Sequence, residues 1–274
     1  MNKKKFKNIL VVLGGSSGER NVSLDSGKAC IKALKKKGYR VSSFDPKFKN
    51  LNLINKKKVD AIFNSLHGKD GEDGVAQSYF EYLKIPYTHS GVISSFNAMN
   101  KIISKEIFTK NKIRTPKFFS FNKKEFTTKK FKHNMMNKKI QFPIVVKPIN
   151  EGSSLGVKIC KNNTKLIKET RNLFKKYYQL IFEEYIGGQE VQVAVINRKP
   201  LGAIELVPKR LFYDYKAKYT KDAKTKHIMP ARLNKSKYLE VLKIAKKTHN
   251  VLGCKGVTRS DFKFFDNKFY LLEI

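Results

Sequence analysis

The feature that most constrains the fold is an apolar run that ends in a glycine-rich loop and continues into a helical pattern. Residues 9–13 are apolar at every position, which is typical of a strand buried on both faces of a sheet. Residues 14–18 supply glycine and serine, and an apolar stripe at helical spacing then runs from Leu24 to Leu34. The next strand is predicted at residues 41–44. This strand-helix-strand order predicts a parallel sheet.

The chain is strongly basic, with 58 Lys and Arg residues against 22 Asp and Glu residues and a net charge of +36. Lys outnumbers Arg and is scattered over nearly every segment. A protein that reads nucleic acid specifically more often concentrates basic residues on one element and uses Arg, whose planar fork matches phosphates and guanine edges. The sequence therefore predicts no specific nucleic-acid partner, although the charge favours an anionic ligand such as ATP.

Cysteine usage and the start of the chain indicate a reducing compartment. Cys30, Cys160 and Cys254 lie far apart, without a CxxC pair or a flanking His at metal spacing, so neither a zinc site nor a disulfide framework is predicted. The basic residues 3–5 imitate a secretory signal, but the apolar run after them is short and ends in glycines. No apolar run is long enough to span a membrane. We therefore expect a cytoplasmic protein with no membrane partner.

Three units are predicted along the chain. Residues 1–99 form an α/β unit around the parallel sheet, residues 100–183 form a second unit, and residues 184–274 form a third. In the second unit, residues 123–139 are rich in Lys and Asn and are predicted to be a surface connection. In the third, residues 208–230 are predicted to be irregular, and long segments of this kind are often functional lids.

The other elements follow from hydrophobic periodicity and from runs rich in β-branched and aromatic residues. Helices are predicted at residues 75–83, 100–111 and 235–252. Strands are predicted at residues 61–66, 144–146, 157–159, 191–196, 201–206, 261–265 and 269–272. Asp266 and Asn267 form the turn between the last two strands.

Two residues of the first unit are candidate ligands of a polar substrate. Glu19 stands where the first helix begins, and a carboxylate there repels phosphate and suits an ammonium group. A favourable acid at a helix N-terminus is the alternative interpretation. His67 follows the third strand in a glycine-flanked loop, where α/β proteins place ligand contacts, and a structural histidine is its alternative. No segment has the GxxxxGK[ST] pattern, so a Walker phosphate loop is excluded.

A second candidate site lies in residues 150–156, a loop of small residues between two predicted strands. Its backbone N–H groups and serine hydroxyls can close over an anion, and Lys147 on the preceding strand can add a positive charge. An ordinary Gly/Ser hairpin is the alternative. Glu183, Glu184 and Glu190 stand in a mostly apolar stretch between two units, where acids can accept from the amino group of adenine and from ribose hydroxyls.

The closing hairpin carries a candidate metal site. Asp261 and Glu273 stand on its two antiparallel strands, and two carboxylates that point the same way offer hard oxygen ligands to Mg²⁺. Arg259 falls on the same face as Asp261, where it can hold an oxyanion. Exposed acids without a metal are the alternative interpretation.

In this order, the segments resemble the D-alanine:D-alanine ligase family of the ATP-grasp superfamily over essentially the whole chain. The motifs that carry the resemblance are LGGSSGER with VSL at residues 13–20 and 22–24, LHG with GEDG at 66–68 and 71–74, VKP at 146–148, EGSS at 151–154, FYDY with KY at 212–215 and 218–219, and RSD with LE at 259–261 and 272–273.

The resemblance implies a fold of the α/β and α+β classes, an ATP-grasp fold of three domains with a parallel sheet in the N-terminal one. It implies an ATP-dependent ligase that transfers the γ-phosphate to the carboxylate of one D-alanine. The acyl phosphate is then attacked by the amine of a second D-alanine. The product serves peptidoglycan precursor synthesis, and a homodimer is the assembly that the family suggests.

Site residues carried over from the family fall into four groups. The resemblance implies that the nucleotide is bound by Lys101, Lys147, Ser153, Glu183, Glu184, Tyr185, Ile186, Glu190, Phe212 and Lys218. It implies Mg²⁺ or Mn²⁺ on Asp261 and Glu273, and the first substrate beside Glu19, His67 and Arg259. The implied catalytic residues are Glu19, Ser153, Tyr219 and Arg259. Ser153, Tyr219 and Glu19 would form a hydrogen-bonded link that closes the lid.

Two positions qualify the resemblance. Tyr219 stands where the related D-alanine:D-lactate ligases usually have His, so an amine nucleophile is expected. The chain stops at Ile274, where the family continues with a metal-ligating Asn and with residues that hold the second D-alanine. We therefore expect a truncated chain that binds the metal and second substrate poorly. Alternatives are a ligase for another amino-acid pair and an inactive remnant that binds ATP or nucleic acid.

Overall fold

The structure is a computed structural model that describes residues 6–208 and 225–274. It divides into two compact units. The first comprises the chain up to Asn97 together with Cys254–Gly256, and the second comprises Ala98–Gly253 and Val257–Ile274. The second unit contains two separate sheets, and the predicted division of the chain into three domains stays a prediction.

The first unit is built on a three-stranded parallel sheet in the order β2-β1-β3. The strands are β1 (Asn8–Val12), β2 (Arg40–Phe44) and β3 (Ala61–Asn64), and the helices are α1 (Arg20–Lys36), α2 (Val75–Tyr82) and the start of α3 (Val92–Met99). Two short 3-10 helices, Leu51–Leu53 and Lys56–Lys58, precede β3. The parallel sheet predicted from residues 9–13 and the helix after them is confirmed.

The core of the first unit explains why the first strand is apolar throughout. Val11 and Val12 are fully buried, and Ile62 and Phe80 pack in the same cluster as Val12. A Cβ added to Gly27 of α1 would lie 2.6 Å from the Cβ of Leu13, so the helix lies directly against the end of the first strand.

A short piece of late sequence completes the first unit. The Lys255 backbone N–H donates to Ser90 Oγ at 3.2 Å, and Ser90 Oγ donates to the Lys255 carbonyl at 3.3 Å. A Cβ added to Gly256, which has φ +63°, would lie 3.0 Å from the His89 backbone. This segment is therefore held tightly beside residues 89 and 90.

The first sheet of the second unit has the antiparallel order β4-β7-β5-β6. Its strands are β4 (Phe118–Asn122), β5 (Ile144–Pro148), β6 (Lys158–Cys160) and β7 (Gln179–Glu184), and its helices are α4 (Lys101–Lys110), α5 (Thr128–Lys138) and α6 (Asn163–Phe174). Aromatic rings fill its core, where Phe119 stacks on Phe182 at 5.4 Å and Phe131 meets Phe182 edge-on at 5.2 Å.

The prediction that residues 123–139 form a polar connection is wrong, because most of them form α5. Thr127 caps the helix, and its hydroxyl accepts from the Lys130 N–H at 3.2 Å. Phe131 is fully buried in the aromatic core. Most of the remaining positions are polar, so the helix is held by this tertiary contact and by its cap, and the sequence has no full apolar stripe.

The second sheet of this unit has the antiparallel order β10-β9-β8-β11-β12. Its elements are β8 (Gln189–Ile196), β9 (Lys199–Val207), β10 (Lys226–Ile228), α7 (Lys235–Val251), β11 (Val257–Phe265) and β12 (Lys268–Glu273). Residues 208–230 are not irregular throughout, because β10 pairs with β9 within them. The closing hairpin is confirmed, with Asp266 and Asn267 both at positive φ in its turn. No helix in the described ranges is long and apolar enough to cross a membrane.

Candidate active site

The first unit brings Glu19 next to the loop of His67. Glu19 is the N-cap residue of α1 and is 5% exposed. Gly68 has φ +71°, and a Cβ added there would lie 2.5 Å from Glu19 Oε2, so the carboxylate lies directly against the backbone after His67. The Ser17 hydroxyl donates to the His67 carbonyl at 2.6 Å and joins the two loops. The arrangement places a buried carboxylate at the ends of parallel strands, as expected for a substrate site.

A salt bridge that the sequence did not predict holds the glycine-rich loop. Arg20 Nη2 lies 2.7 Å from Asp45 Oδ2, while Arg20 Nη1 donates to the Gly15 carbonyl at 2.7 Å. The Gly15 N–H donates to Asp45 Oδ1 at 3.0 Å. Partial burial alone would raise the pKa of Asp45, but Arg20 and the backbone N–H groups outweigh it and lower that pKa. The loop that leads to Glu19 is therefore fixed by charge-assisted hydrogen bonds.

The second unit contains a cleft of about 660 Å³, including its open side. Most of the residues predicted to bind nucleotide in this unit and described in the structure line it, together with apolar side chains. The lining residues are Lys101, Pro116, Val145, Lys147, Pro148, Glu151, Ser154, Leu155, Val157, Glu183, Glu184, Tyr185, Ile186, Lys263, Leu272 and Glu273.

Glu183 is the centre of a buried ion cluster at this cleft. Its Oε2 lies 2.9 Å from Lys147 Nζ and its Oε1 lies 3.2 Å from Lys105 Nζ. Burial alone would raise the pKa of Glu183, but Lys105 and Lys147 outweigh it and lower the pKa. Burial also lowers the pKa of Lys105, to about 8, against the opposing attraction of Glu183. The cluster therefore keeps an ionised carboxylate away from water by surrounding it with cations.

Lys105 extends this cluster towards the last strand. Its Nζ also donates to the Thr115 hydroxyl at 2.6 Å, and that hydroxyl donates to the Leu271 carbonyl at 2.8 Å. Lys105 was not predicted as a site residue. It lies one helical turn after Lys101 on α4, so the spacing of the two lysines was a signal that could have indicated it.

Lys101 connects the small-residue loop with the last strand. Its Nζ donates to the Glu151 carbonyl at 2.5 Å and lies 3.6 Å from Glu273 Oε2. Burial lowers the pKa of Lys101, and the attraction of Glu273 opposes that effect. The loop itself is a hairpin connection between β5 and β6, as predicted, and Ser154 on it lines the cleft. Ser153, its neighbour, adopts the left-handed conformation with φ +49°.

Asp261 and Glu273 lie opposite each other on the two strands of the closing hairpin. Arg259 forms a two-point contact with Asp261, from Nε to Oδ1 at 2.8 Å and from Nη2 to Oδ2 at 3.0 Å. The register shifts by one residue between Asp261 and Phe262, which inserts Leu272 into β12 as a bulge. Leu272 and Glu273 therefore both line the cleft, because a bulge redirects side chains.

The carboxylates of Asp261 and Glu273 are suitable ligands for a magnesium ion. In residues 6–208 and 225–274, no group of three or more His, Cys, Asp or Glu is arranged to hold a metal ion. Asp261 and Glu273 are two hard carboxylates in register at the cleft. Mg²⁺ is usually bound through one or two carboxylates together with substrate phosphates and water. Three residues predicted for the site, Phe212, Lys218 and Tyr219, lie outside the described residues.

Comparison with known proteins gives consistent matches over nearly the whole chain. The sequence model of the family described as D-ala D-ala ligase N-terminus matches residues 43–90, and that described as D-ala D-ala ligase C-terminus matches residues 107–274. A D-alanine--D-alanine ligase of Pelagibacter ubique is 54% identical over 269 residues, which cover 98% of this chain and 87% of that protein. One from Wolbachia pipientis is 41% identical, covering 97% and 82%.

Solved structures give the same match in three dimensions. The D-alanine--D-alanine ligase of Bacillus anthracis superposes with a TM-score of 0.85 at 34% identity, covering 97% of this chain and 86% of that one. The same enzyme complexed with ATP gives a TM-score of 0.81 at 31% identity, covering 98% and 85%.

Proposed function

We propose residue roles from one premise, namely that this chain belongs to the D-alanine:D-alanine ligase family. The chain is an ATP-dependent ligase with an ATP-grasp fold that joins two D-alanine molecules for peptidoglycan synthesis, and the reaction uses ATP and Mg²⁺. The roles of individual side chains in binding and catalysis are proposed below.

The main observation in support of a nucleotide site is the cluster of lysines around Glu183 at the cleft wall. Lys147, which precedes the small-residue loop, and Lys101, which donates to the Glu151 carbonyl in that loop, both line the cleft and can attract a polyphosphate. Tyr185 and Ile186 supply apolar wall for the base, and Glu183 and Glu184 line the same cleft. We assign these two carboxylates, together with Glu190 on β8, as acceptors for the adenosine. We assign ATP to this cleft, with Ser153, Phe212 and Lys218 as further contacts.

The ligation needs a carboxylate to become an electrophile. Transfer of the γ-phosphate to one carboxylate oxygen of the first D-alanine releases ADP and creates an acyl phosphate. The amine of the second D-alanine then forms the peptide bond, loses a proton and expels inorganic phosphate. Phosphoryl transfer demands alignment and charge neutralisation more than covalent help from the protein.

Arg259 is the residue that we assign to the oxyanion of the tetrahedral intermediate. Its guanidinium is oriented by the two-point contact with Asp261. A donor fixed in advance costs little reorganisation when charge develops on the substrate. Asp261 and Glu273 would hold Mg²⁺, which neutralises phosphate charge when bound.

The first D-alanine is assigned to the site beside Glu19. The buried Glu19 carboxylate would receive the ammonium group, and His67 would lie beside the substrate carboxylate. A hydrogen-bonded link among Glu19, Ser153 and Tyr219 would close the lid. We further propose a cytoplasmic homodimer without a nucleic-acid or membrane partner, to be checked by light scattering and by binding assays at moderate salt.

Phosphate release from ATP and Mg²⁺ tests the function, with D-alanine, L-alanine or no amino acid added. We expect release only with D-alanine, together with formation of the dipeptide. Lys147→Ala should raise KM for ATP, whereas Glu19→Gln should mainly raise KM for the first D-alanine. If either variant leaves its own substrate's KM unchanged, that residue assignment is wrong. Release with another amino acid instead would identify a ligase for a different pair.

A further inference from the structure

An ion pair at the nucleotide cleft involves a lysine that the preceding assignment does not use. Lys263 on β11 lies directly opposite Glu190 on β8 in the sheet register, so both side chains point to the same face. Lys263 Nζ lies 2.8 Å from Glu190 Oε1. The two side chains are only 13% and 15% exposed, and Lys263 lines the same cleft as Ile186 and Leu272.

The position of Lys263 in the sheet favours a role in binding the nucleotide. It follows Arg259 and Asp261 at two-residue intervals along β11, so the three side chains share one strand face. A largely buried ion pair contributes little net stability, because desolvation offsets the attraction. The same hairpin also has an exposed ion pair, between Lys268 and Asp266. An ion pair on this hairpin therefore does not have to be buried, as the pair of Lys263 is.

The chemistry of the pair matches a vicinal diol. An ammonium group has three N–H donors and no acceptor, whereas a carboxylate has several lone pairs and no donor. Each ribose hydroxyl both donates and accepts. A paired ammonium and carboxylate can therefore donate to and accept from two neighbouring hydroxyls at once. The ammonium alone could only donate, and the carboxylate alone could only accept.

We propose that Lys263, held in place by Glu190, is a specificity residue that contacts the ribose hydroxyls of ATP and discriminates against deoxynucleotides. The inference rests on the proposed nucleotide site. Sites built to bind a substrate hydroxyl reject the analogue without it, because their buried polar groups lose a partner. For one contact to a charged group we expect a preference for ATP of about tenfold to hundredfold.

Binding of ATP, 2′-deoxy-ATP and 3′-deoxy-ATP with Mg²⁺ by titration calorimetry tests the proposal without relying on turnover. The wild-type chain should bind ATP about tenfold to hundredfold more tightly than at least one deoxynucleotide. Lys263→Met has a similar length but no donor, so it should weaken ATP binding and leave the deoxynucleotide nearly unchanged. Lys263→Arg should keep part of the preference, which protects the test against misfolding of the methionine variant.

The matched control is Lys268→Met, which removes a lysine from an exposed pair of the same hairpin and should keep the full preference. Equal weakening of all three nucleotides by Lys263→Met would show a general charge effect and overturn the inference. A wild-type chain that binds ATP and the deoxynucleotides equally would overturn it as well. Failure of the wild-type chain to bind ATP at all would instead refute the proposed nucleotide site on which the inference depends.

Discussion

Replacement of Glu183 by glutamine should strongly destabilise the second unit. Glu183 is the shared anion of Lys105 and Lys147, at 3.2 and 2.9 Å, and Lys105 is fully buried. Removal of one partner of a buried ion pair costs about 3–5 kcal/mol, because a charge remains in a medium that solvates it poorly. For a unit of this size the melting temperature should fall by roughly 6–20 °C.

The pH dependence of this loss provides an independent check. The pKa of Lys105 is already lowered to about 8, and loss of Glu183 would lower it further, whereas the unfolded chain keeps a lysine near its ordinary value. The folded variant therefore binds fewer protons than its unfolded state from a lower pH than the wild type does, and its stability rises with pH in that interval. The deficit relative to the wild type should narrow as the pH rises from 7 to 8.

Urea unfolding followed by circular dichroism measures both effects, with m-values compared to confirm that the same surface is exposed. Glu184→Gln is the matched control, since its retained carbonyl can still accept from the Lys117 N–H, and it should stay within about 0.5 kcal/mol of the wild type. Adding Lys105→Met to Glu183→Gln removes the stranded cation and should restore roughly 1 kcal/mol or more. A single variant as stable as the control, or a double variant no better than the single one, would refute the buried-charge argument.

Three further changes test other parts of the structure. Gly188→Ala should lower the free energy of unfolding by about 2 kcal/mol or more, because Gly188 has φ +80° and an added Cβ would lie 2.2 Å from the Phe264 carbonyl oxygen. An unchanged urea midpoint would contradict this. Burial lowers the pKa of His249 below its ordinary value of 6.5, so the unfolded state binds the proton more readily than the folded state. The free energy of unfolding should therefore fall as the pH drops below about 6.5. His249→Phe should make this fall smaller between unfolding curves measured at pH 7 and pH 5. Asp45→Asn should raise KM for D-alanine and leave KM for ATP unchanged in steady-state kinetics, because Asp45 fixes the loop that leads to Glu19; a parallel rise in both values would indicate a general loss of structure.

Most of the fold could be predicted where the pattern is local. The apolar run at residues 9–13 and the turn at Asp266 and Asn267 each determine their element through the residues inside it. The register of Asp261 with Glu273 did not follow from the hairpin length, because a two-residue turn alone would place Leu272 opposite Asp261, and the bulge at Leu272 brings Glu273 there instead. Strand β7 was missed because Glu183 and Glu184 were interpreted as part of a connection, although an apolar run precedes them.

The unpredicted parts depend on contacts between distant segments. Helix α5 is anchored by Phe131, whose ring packs against Phe119 and Phe182 from other segments of the chain. Lys105 and Lys263 looked like two more members of a lysine-rich composition, and their partners are 78 and 73 residues away in sequence, at Glu183 and Glu190. In a chain with this much lysine, composition hides the lysines that are buried, and the structure is needed to separate them from solvated ones.

The three residues Cys254–Gly256 have a consequence for how the molecule can be divided. They belong to the first unit, while the residues on either side belong to the second, so the backbone passes between the units three times. No single cleavage can release two intact modules, and a gene fragment that ends at Asn97 would omit the piece that binds Ser90. Recombination between related genes would have to exchange both segments together to preserve the first unit. Separate expression of that unit would require grafting the tripeptide onto its end with a linker.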